Sequence, residues 1–248
     1  MHVFGLIGRN LSHSFSRSFF EKKFSELGLH DHVYRNFELA SISGLPGLLK
    51  ADPTVKGLNV TFPYKVAVME FLDELSPEAA EAGAVNCIKV YNGKTIGHNT
   101  DVYGFSQSIK PFLDRHHENA LILGTGGASK AVSFALKKFG IQQFFVTSDP
   151  GKKNGNTYLY PDVNDRMLAS CKLVINCTPL GMYPQVDQCP ELPYHCFSGE
   201  HLAYDLVYNP PETLFLKMAA ASGAAAVNGL SMLHLQAEKS WQIWQDLR

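Results

Sequence analysis

The sequence predicts an α/β chain of two domains, on three observations. Strand-like apolar runs alternate with amphipathic helical runs. The alternation starts afresh at Ala120, and this second start carries the glycine-rich turn Gly124–Gly127 between a buried strand and a helix.

Taken in order, Val3-Phe4-Gly5-Leu6-Ile7 is a short apolar strand. Ser16 to Leu27 has helical spacing, with Phe19, Phe20, Phe24 and Leu27 on one face, and Gly28 ends it. Gly57-Leu58-Asn59-Val60-Thr61 is a second strand, closed by Pro63. Cys87–Tyr91 and Lys94–Ile96 flank Asn92-Gly93 and predict a hairpin. In the second series, Ala120–Leu123 is a buried strand, and the turn leads into a helix carrying Ala131, Val132, Ala135, Leu136 and Phe139 on one face, stopped by Gly140. Phe144–Val146, Leu173–Asn176, Leu202–Leu206 and Ala224–Val227 are the later strands. Pro150 to Asp165 is polar and predicts a surface loop. A final helix from about Ser231 is anchored by Leu235, Trp241 and Trp244.

Composition narrows the function classes. The 248 residues suffice for one large domain or two small ones. With 45% hydrophobic and 18% charged residues the chain has the balance of a folded protein. Lys plus Arg (22) nearly equals Asp plus Glu (23), so no broad field invites nucleic acid or an acidic membrane. The start has no signal-peptide pattern, no apolar stretch reaches a membrane span, and the cysteine count is odd with no CxxC. A cytoplasmic protein with reduced thiols is expected. His30-Asp31-His32 and His116-His117 lack zinc spacing, so exposed loop histidines and no metal are expected.

A strand, a glycine turn and a helix suit a dinucleotide pyrophosphate: glycines permit the tight turn and close backbone approach, and the helix N-terminus presents free N–H groups and partial positive charge. The cofactor domain is therefore expected to be Rossmann-like. Ser129 departs from the fingerprint, which usually has Gly or Ala there. The next strand ends Val146-Thr147-Ser148-Asp149, with Lys152 and Lys153 beyond. Asp149 could accept from a ribose 2′-hydroxyl or cap a turn before Pro150; the lysines could pair with a 2′-phosphate or be solvated.

The first half also carries polar clusters with no obvious packing purpose: Ser12-His13-Ser14-Phe15-Ser16, Asn59-Val60-Thr61-Phe62-Pro63-Tyr64-Lys65, Ala84-Val85-Asn86 and Asn99-Thr100-Asp101. Singly, each has a structural explanation. Together with Gly124-Thr125-Gly126-Gly127-Ala128-Ser129, Asn176-Cys177-Thr178-Pro179-Leu180-Gly181-Met182, Tyr204-Asp205-Leu206-Val207-Tyr208-Asn209-Pro210 and Gly229-Leu230-Ser231-Met232-Leu233, they resemble shikimate dehydrogenases, in order over nearly the whole chain. Ser129 is a variant that this family shares.

The resemblance implies reversible reduction of 3-dehydroshikimate to shikimate with NADP(H), in chorismate and aromatic amino-acid biosynthesis. It implies a substrate domain formed by residues 1–101 with 229–248, completed by the C-terminal helix, a dinucleotide domain at 102–228, and an active site between domains. Carried over, Lys65 and Asp101 are catalytic. Ser14 and Ser16 bind the substrate carboxylate with Tyr208 nearby, and Thr61, Asn86, Asp101 and Gln236 hold ring hydroxyls. Gly124, Gly126, Gly127, Ala128, Ser129, Thr147, Ser148, Asp149, Thr178, Leu206 and Gly229 line the cofactor. A cationic lysine suits carbonyl reduction, because it stabilises the oxyanion that develops and supplies its proton. Family members using NADP usually have Asn-Arg-Thr where Thr147-Ser148-Asp149 stands, so NADP(H) is expected to be held by Lys152 or Lys153, with NAD(H) as the alternative. Small-molecule ligands and a monomer or homodimer are expected. A quinate/shikimate dehydrogenase and a non-catalytic ligand sensor are the competing readings; paired Ser14 and Ser16 favour the first reading over quinate, and intact Lys65 and Asp101 oppose the sensor.

Overall fold

A computed structural model describes residues 1–11 and 15–246. The chain divides into two compact units, Met1–Thr100 with Ala237–Arg248, and Asp101–Gln236.

The first unit is built on β1 (His2–Gly8), α1 (Phe15–Glu26), β2 (His32–Glu38), α2 (Leu45–Ala51), β3 (Val55–Val60), β4 (Glu74–Leu75), α3 (Pro77–Ala82), β5 (Cys87–Tyr91) and β6 (Lys94–His98). Its mixed sheet runs β2-β1-β3-β5-β6-β4, with β1 parallel to β2 and β3, and β5 antiparallel to β3 and β6. Strand alternation splits the apolar residues of β1 between two cores. Val3 and Ile7 pack with Leu45, Leu58, Val60, Val68 and Ile88 on one face. Phe4 and Leu6 pack with Phe20, Phe24, Tyr34, Trp241 and Trp244 on the other. The two tryptophans come from α8 (Leu230–Gln245), so the end of the chain completes the N-terminal unit's core, and the division between units falls inside that helix.

The second unit begins with α4 (Thr100–Ile109), whose first residue belongs to the first unit, and continues through β7 (Asn119–Leu123), α5 (Gly127–Lys138), β8 (Gln142–Thr147), β9 (Thr157–Leu159), α6 (Asp165–Ser170), β10 (Leu173–Asn176), β11 (Leu202–Asp205), α7 (Leu214–Ala221) and β12 (Ala225–Val227). Every pairing is parallel and the order is β12-β11-β10-β7-β8-β9. Numbered from β7, this is the 6-5-4-1-2-3 sequence of a Rossmann sheet. Leu121, Leu123, Val146 and Val174 form a core with Leu168 of α6 and Phe215, Leu216 and Ala219 of α7.

Three expectations are corrected. Residues 150–165 are not only a surface loop, because Thr157-Tyr158-Leu159 adds the edge strand β9 to the sheet. His32 lies in β2, stacked on Phe4 at 5.6 Å and edge-on to Trp241 at 6.0 Å. His117 is buried, its Nδ1 accepting from the Asp114 backbone N–H at 3.0 Å. Neither is an exposed loop histidine. Among the described residues no helix is long and apolar enough to cross a membrane.

Candidate active site

In the first unit a buried polar network underlies the expected substrate residues. The Tyr34 hydroxyl donates to Asn59 Oδ1 at 2.9 Å, and Asn59 Nδ2 donates to Ser240 Oγ at 2.9 Å. Ser240 and Thr100 hydroxyls lie 3.1 Å apart. Asn86 Oδ1 accepts from the Thr100 backbone N–H at 2.6 Å, and its Nδ2 donates to the Thr100 hydroxyl at 2.9 Å. Asn86 therefore fixes the first residue of α4, just ahead of Asp101. Burial pushes the Tyr34 phenol well above its ordinary range, against a hydrogen bond with Ser16 in the first turn of α1.

Thr61 leaves β3 with its N–H still bonded to Ile7 O at 2.9 Å, and a tight turn brings the Tyr64 N–H back to Thr61 O at 2.9 Å. The carbonyl of Lys65 then accepts from the Val85 N–H at 2.7 Å, so the backbones of the Lys65 and Asn86 segments are stitched together. Lys65 is half-buried. Ser14 lies outside the described residues.

The second unit holds Asp101, Tyr208 and Gln236. Asp101 is buried in the first turn of α4, where a carboxylate complements the helix dipole. Tyr208 is half-buried, which raises its phenol pKa. Gln236 is half-buried on α8, where that helix crosses Gly104: an added Cβ at Gly104 would lie 3.1 Å from the Gln236 backbone nitrogen.

The glycine turn has the geometry a pyrophosphate needs. Gly124 takes φ +102°, a conformation that side chains rarely adopt. Gly126 is the N-cap of α5 with no side-chain cap, the first turn has no acidic residue, and a Cβ on Gly126 would meet nothing within 4 Å. Ser129 is buried and donates to Gly126 O at 2.7 Å, so its hydroxyl is satisfied inside the helix and leaves the leading N–H groups to a ligand.

At the ribose end, Asp149 caps a short turn, accepting from the Gly151 N–H at 3.0 Å, while its own N–H donates to the Thr147 hydroxyl at 3.1 Å. The two lysines separate. Lys153 pairs with Asp162 at 2.9 Å. Lys152 donates to the Thr125 hydroxyl at 3.3 Å, which places its ammonium on the glycine turn itself.

Across the sheet, Thr178 follows β10 with its N–H and hydroxyl both donating to Asn176 Oδ1, at 3.0 and 2.6 Å. Gly229 sits so close to Leu206 that a Cβ would fall 2.1 Å from its carbonyl oxygen. Nearby Asp205 is fully buried, and that burial pushes its carboxyl from 3.8 to about 6 despite three hydrogen bonds. A raised native pKa contributes stability that is complete below 3.8 and is lost as pH climbs through about 6. Asp205→Asn, which does not titrate, should therefore gain about 2 kcal/mol on wild type between pH 4.5 and 7. Denaturant unfolding of both proteins across that range checks this; a constant difference would refute it.

Among the described residues, Asp165, His195 and Cys196 form a group whose potential metal-ligand atoms lie within 4.8 Å of one another. Asp165 and His195 are exposed, pair with each other at 3.5 Å, and lie outside the polar clusters and the glycine turn.

Residues 6–88 match the model of the shikimate dehydrogenase substrate binding domain. The chain is 34% identical to the shikimate dehydrogenase (NADP(+)) of Methanococcus aeolicus, covering 99% of this chain and 92% of that one. It is 38% identical to the enzyme of the same name from Clostridium beijerinckii, covering 99% and 93%. Among solved structures, shikimate 5-dehydrogenase from Thermus thermophilus in complex with NADP(H) and shikimate aligns with a TM-score of 0.85 at 31% identity, over 99% of this chain and 94% of that chain. With a relative 38% identical over nearly the full length of both chains, this chain belongs to the shikimate dehydrogenase family.

Proposed function

We infer that the chain is an NADP(H)-dependent shikimate dehydrogenase, interconverting 3-dehydroshikimate and shikimate in chorismate and aromatic amino-acid biosynthesis. The observation that carries this reading is the uncapped glycine start of α5, in a chain that retains Lys65, Asp101 and the Asn86–Thr100 bonding just ahead of Asp101. The first unit, with its matched substrate-binding segment, takes the sugar-like acid; the second takes the dinucleotide. It works on small molecules in the cytoplasm, as a monomer or homodimer.

The reaction adds a hydride and a proton across a ketone. The bound nicotinamide supplies the hydride chemistry; the chain supplies the rest. Lys65 gives a proton to the ketone oxygen as negative charge develops there, and takes it back from the hydroxyl in the oxidative direction. Asp101 orients that ammonium. Ser14, Ser16 and Tyr208 hold the carboxylate, and Thr61, Asn86 and Gln236 take the ring hydroxyls. An unpaired buried hydroxyl costs about 1–3 kcal/mol, so this many polar side chains can fix one ring orientation. Gly124, Gly126, Gly127, Ala128 and Ser129 seat the pyrophosphate, Thr147, Ser148 and Asp149 border the ribose, and Thr178, Leu206 and Gly229 border the nicotinamide.

Purified chain incubated with shikimate should reduce NADP, with quinate a much poorer substrate. Quinate turnover equal to shikimate turnover would make it a quinate/shikimate dehydrogenase. Binding of shikimate with no reduction of either cofactor would make it a sensor. Lys152, on the glycine turn, is assigned the 2′-phosphate in place of the family's arginine. A half-exposed ammonium is a modest anchor, so Lys152→Ala should raise KM for NADP about 5–10-fold and leave KM for NAD unchanged. A parallel rise for both cofactors would remove Lys152 from this role.

A further inference from the structure

The roles assigned above leave one fully buried carboxylate unused. Asp205 ends β11, in register with Asn176 at the end of β10. Its Oδ1 accepts from Asn176 Nδ2 at 2.9 Å and from the Val207 N–H at 3.0 Å. Its Oδ2 accepts from the Thr213 hydroxyl at 2.6 Å, and Thr213 is the N-cap of α7. Three separate segments therefore meet on one side chain.

The two bonds to Oδ1 have consequences at the cofactor side of the sheet. By holding Asn176 Nδ2, Asp205 sets which way the carboxamide faces, and so turns its Oδ1 toward the N–H and hydroxyl of Thr178. Thr178 is in turn the group nearest Gly124: its Cγ2 would stand 3.1 Å from a Cβ there. By holding the Val207 N–H, Asp205 also fixes the peptide whose own carbonyl, Leu206 O, crowds Gly229. The Thr178 loop leaves the carboxyl end of β10 beside β7, where the strand order of this parallel sheet reverses, and the Leu206 loop leaves β11 one strand further out. Open parallel sheets bind their ligands at that reversal.

We propose that Asp205 is a positioning residue for the dinucleotide, holding the Thr178 and Leu206 loops in the arrangement that the Gly124 turn requires. The proposal rests on the reading that this unit binds NADP(H). Burial works against the ionised carboxylate, so stability alone favours an apolar or amide side chain at this position. A site that keeps the costly group while two of its three partners lead toward the cofactor loops is the pattern of a functional constraint.

Two variants test it. Asp205→Ala removes the acceptor that holds both Asn176 Nδ2 and the Val207 N–H. Asn176→Ala cuts the link from Asp205 to Thr178 and leaves the carboxylate in place. NADPH affinity is read by fluorescence titration, and KM for shikimate at saturating NADP. Each variant should bind NADPH about tenfold more weakly, with KM for shikimate within about twofold of wild type. Unchanged NADPH affinity in Asp205→Ala would overturn the proposal. So would NADPH affinity and shikimate KM worsening by the same factor, the mark of a general loss of structure. Should Asp205→Ala fail to fold, Asn176→Ala decides alone by the same two constants. Wild-type protein that fails to bind NADPH would instead refute the functional reading, a result separable from any effect of the variants.

Discussion

Lys65→Ala is expected to lower kcat for shikimate oxidation by about 10²–10⁴-fold, with KM for shikimate changed far less. That range is the usual contribution of a positioned acid or base. The step it removes is proton transfer at the oxygen that gains or loses charge, which matters most in the transition state, so the loss should fall on kcat. The fold should tolerate the change. Lys65 is held by its backbone carbonyl, which bonds the Val85 N–H at 2.7 Å, and this bond does not need the side chain. Lys65→Arg separates two functions, because arginine keeps the positive charge yet does not release a proton at neutral pH. It should recover binding of the carbonyl substrate while kcat stays low. Steady-state kinetics in both directions, with circular dichroism to confirm folding, measure this. An alanine variant that retains more than about a tenth of wild-type kcat would remove Lys65 from the acid/base role.

The second large effect is on stability. Trp244 donates from Nε1 to Ile88 O at 3.0 Å, and its ring lies 5.0 Å from Phe4 and 5.1 Å from Phe20. The indole reaches this place because position 57 is glycine: a Cβ there would stand 2.4 Å from Nε1. Trp244→Ala leaves a large hole and removes the bond to Ile88 O, and should cost about 3–5 kcal/mol. Gly57→Ala forces the ring out and should also be strongly destabilising. The double variant should cost clearly less than the sum, since without the indole the added methyl meets no clash. Denaturant midpoints of the four proteins measure the coupling. Strict additivity would show that the glycine does not exist for the tryptophan.

Much of this was legible in the sequence where the cause is local. β1, β7 and β10 are short buried apolar runs. The hairpin of β5 and β6 is announced by Asn92-Gly93, and both residues take positive φ, 50° and 77°. α3 also carries its signals in sequence, with Ser76 accepting from the Ala79 N–H, Pro77 in the first turn, and Gly83 at φ 66° as the stop. β9 could not be read this way: its three half-buried residues become a strand only because β8 offers an edge. His32 is polar by type and is enclosed by rings from β1, α1 and α8 that only the fold assembles. The same holds for the site. The motifs named Lys65, Asn86 and Gly124. They did not show that Lys152 rests on Thr125, 27 residues away in the chain, or that Asn86 bonds the start of α4 at Thr100.

Because Trp241 and Trp244 fill the core of the N-terminal unit, that unit cannot be finished on the ribosome in the order it is made. Phe4, Phe20 and Tyr34 emerge early, and their covering arrives only after the whole second unit has been synthesised. At about 5–20 residues per second, the delay is on the order of ten seconds. By the end of that interval the nascent chain carries an open aromatic face ahead of a Rossmann unit that has all of its strands. Until the last turns of α8 are made, nothing else in the chain supplies the two indoles that cover this face.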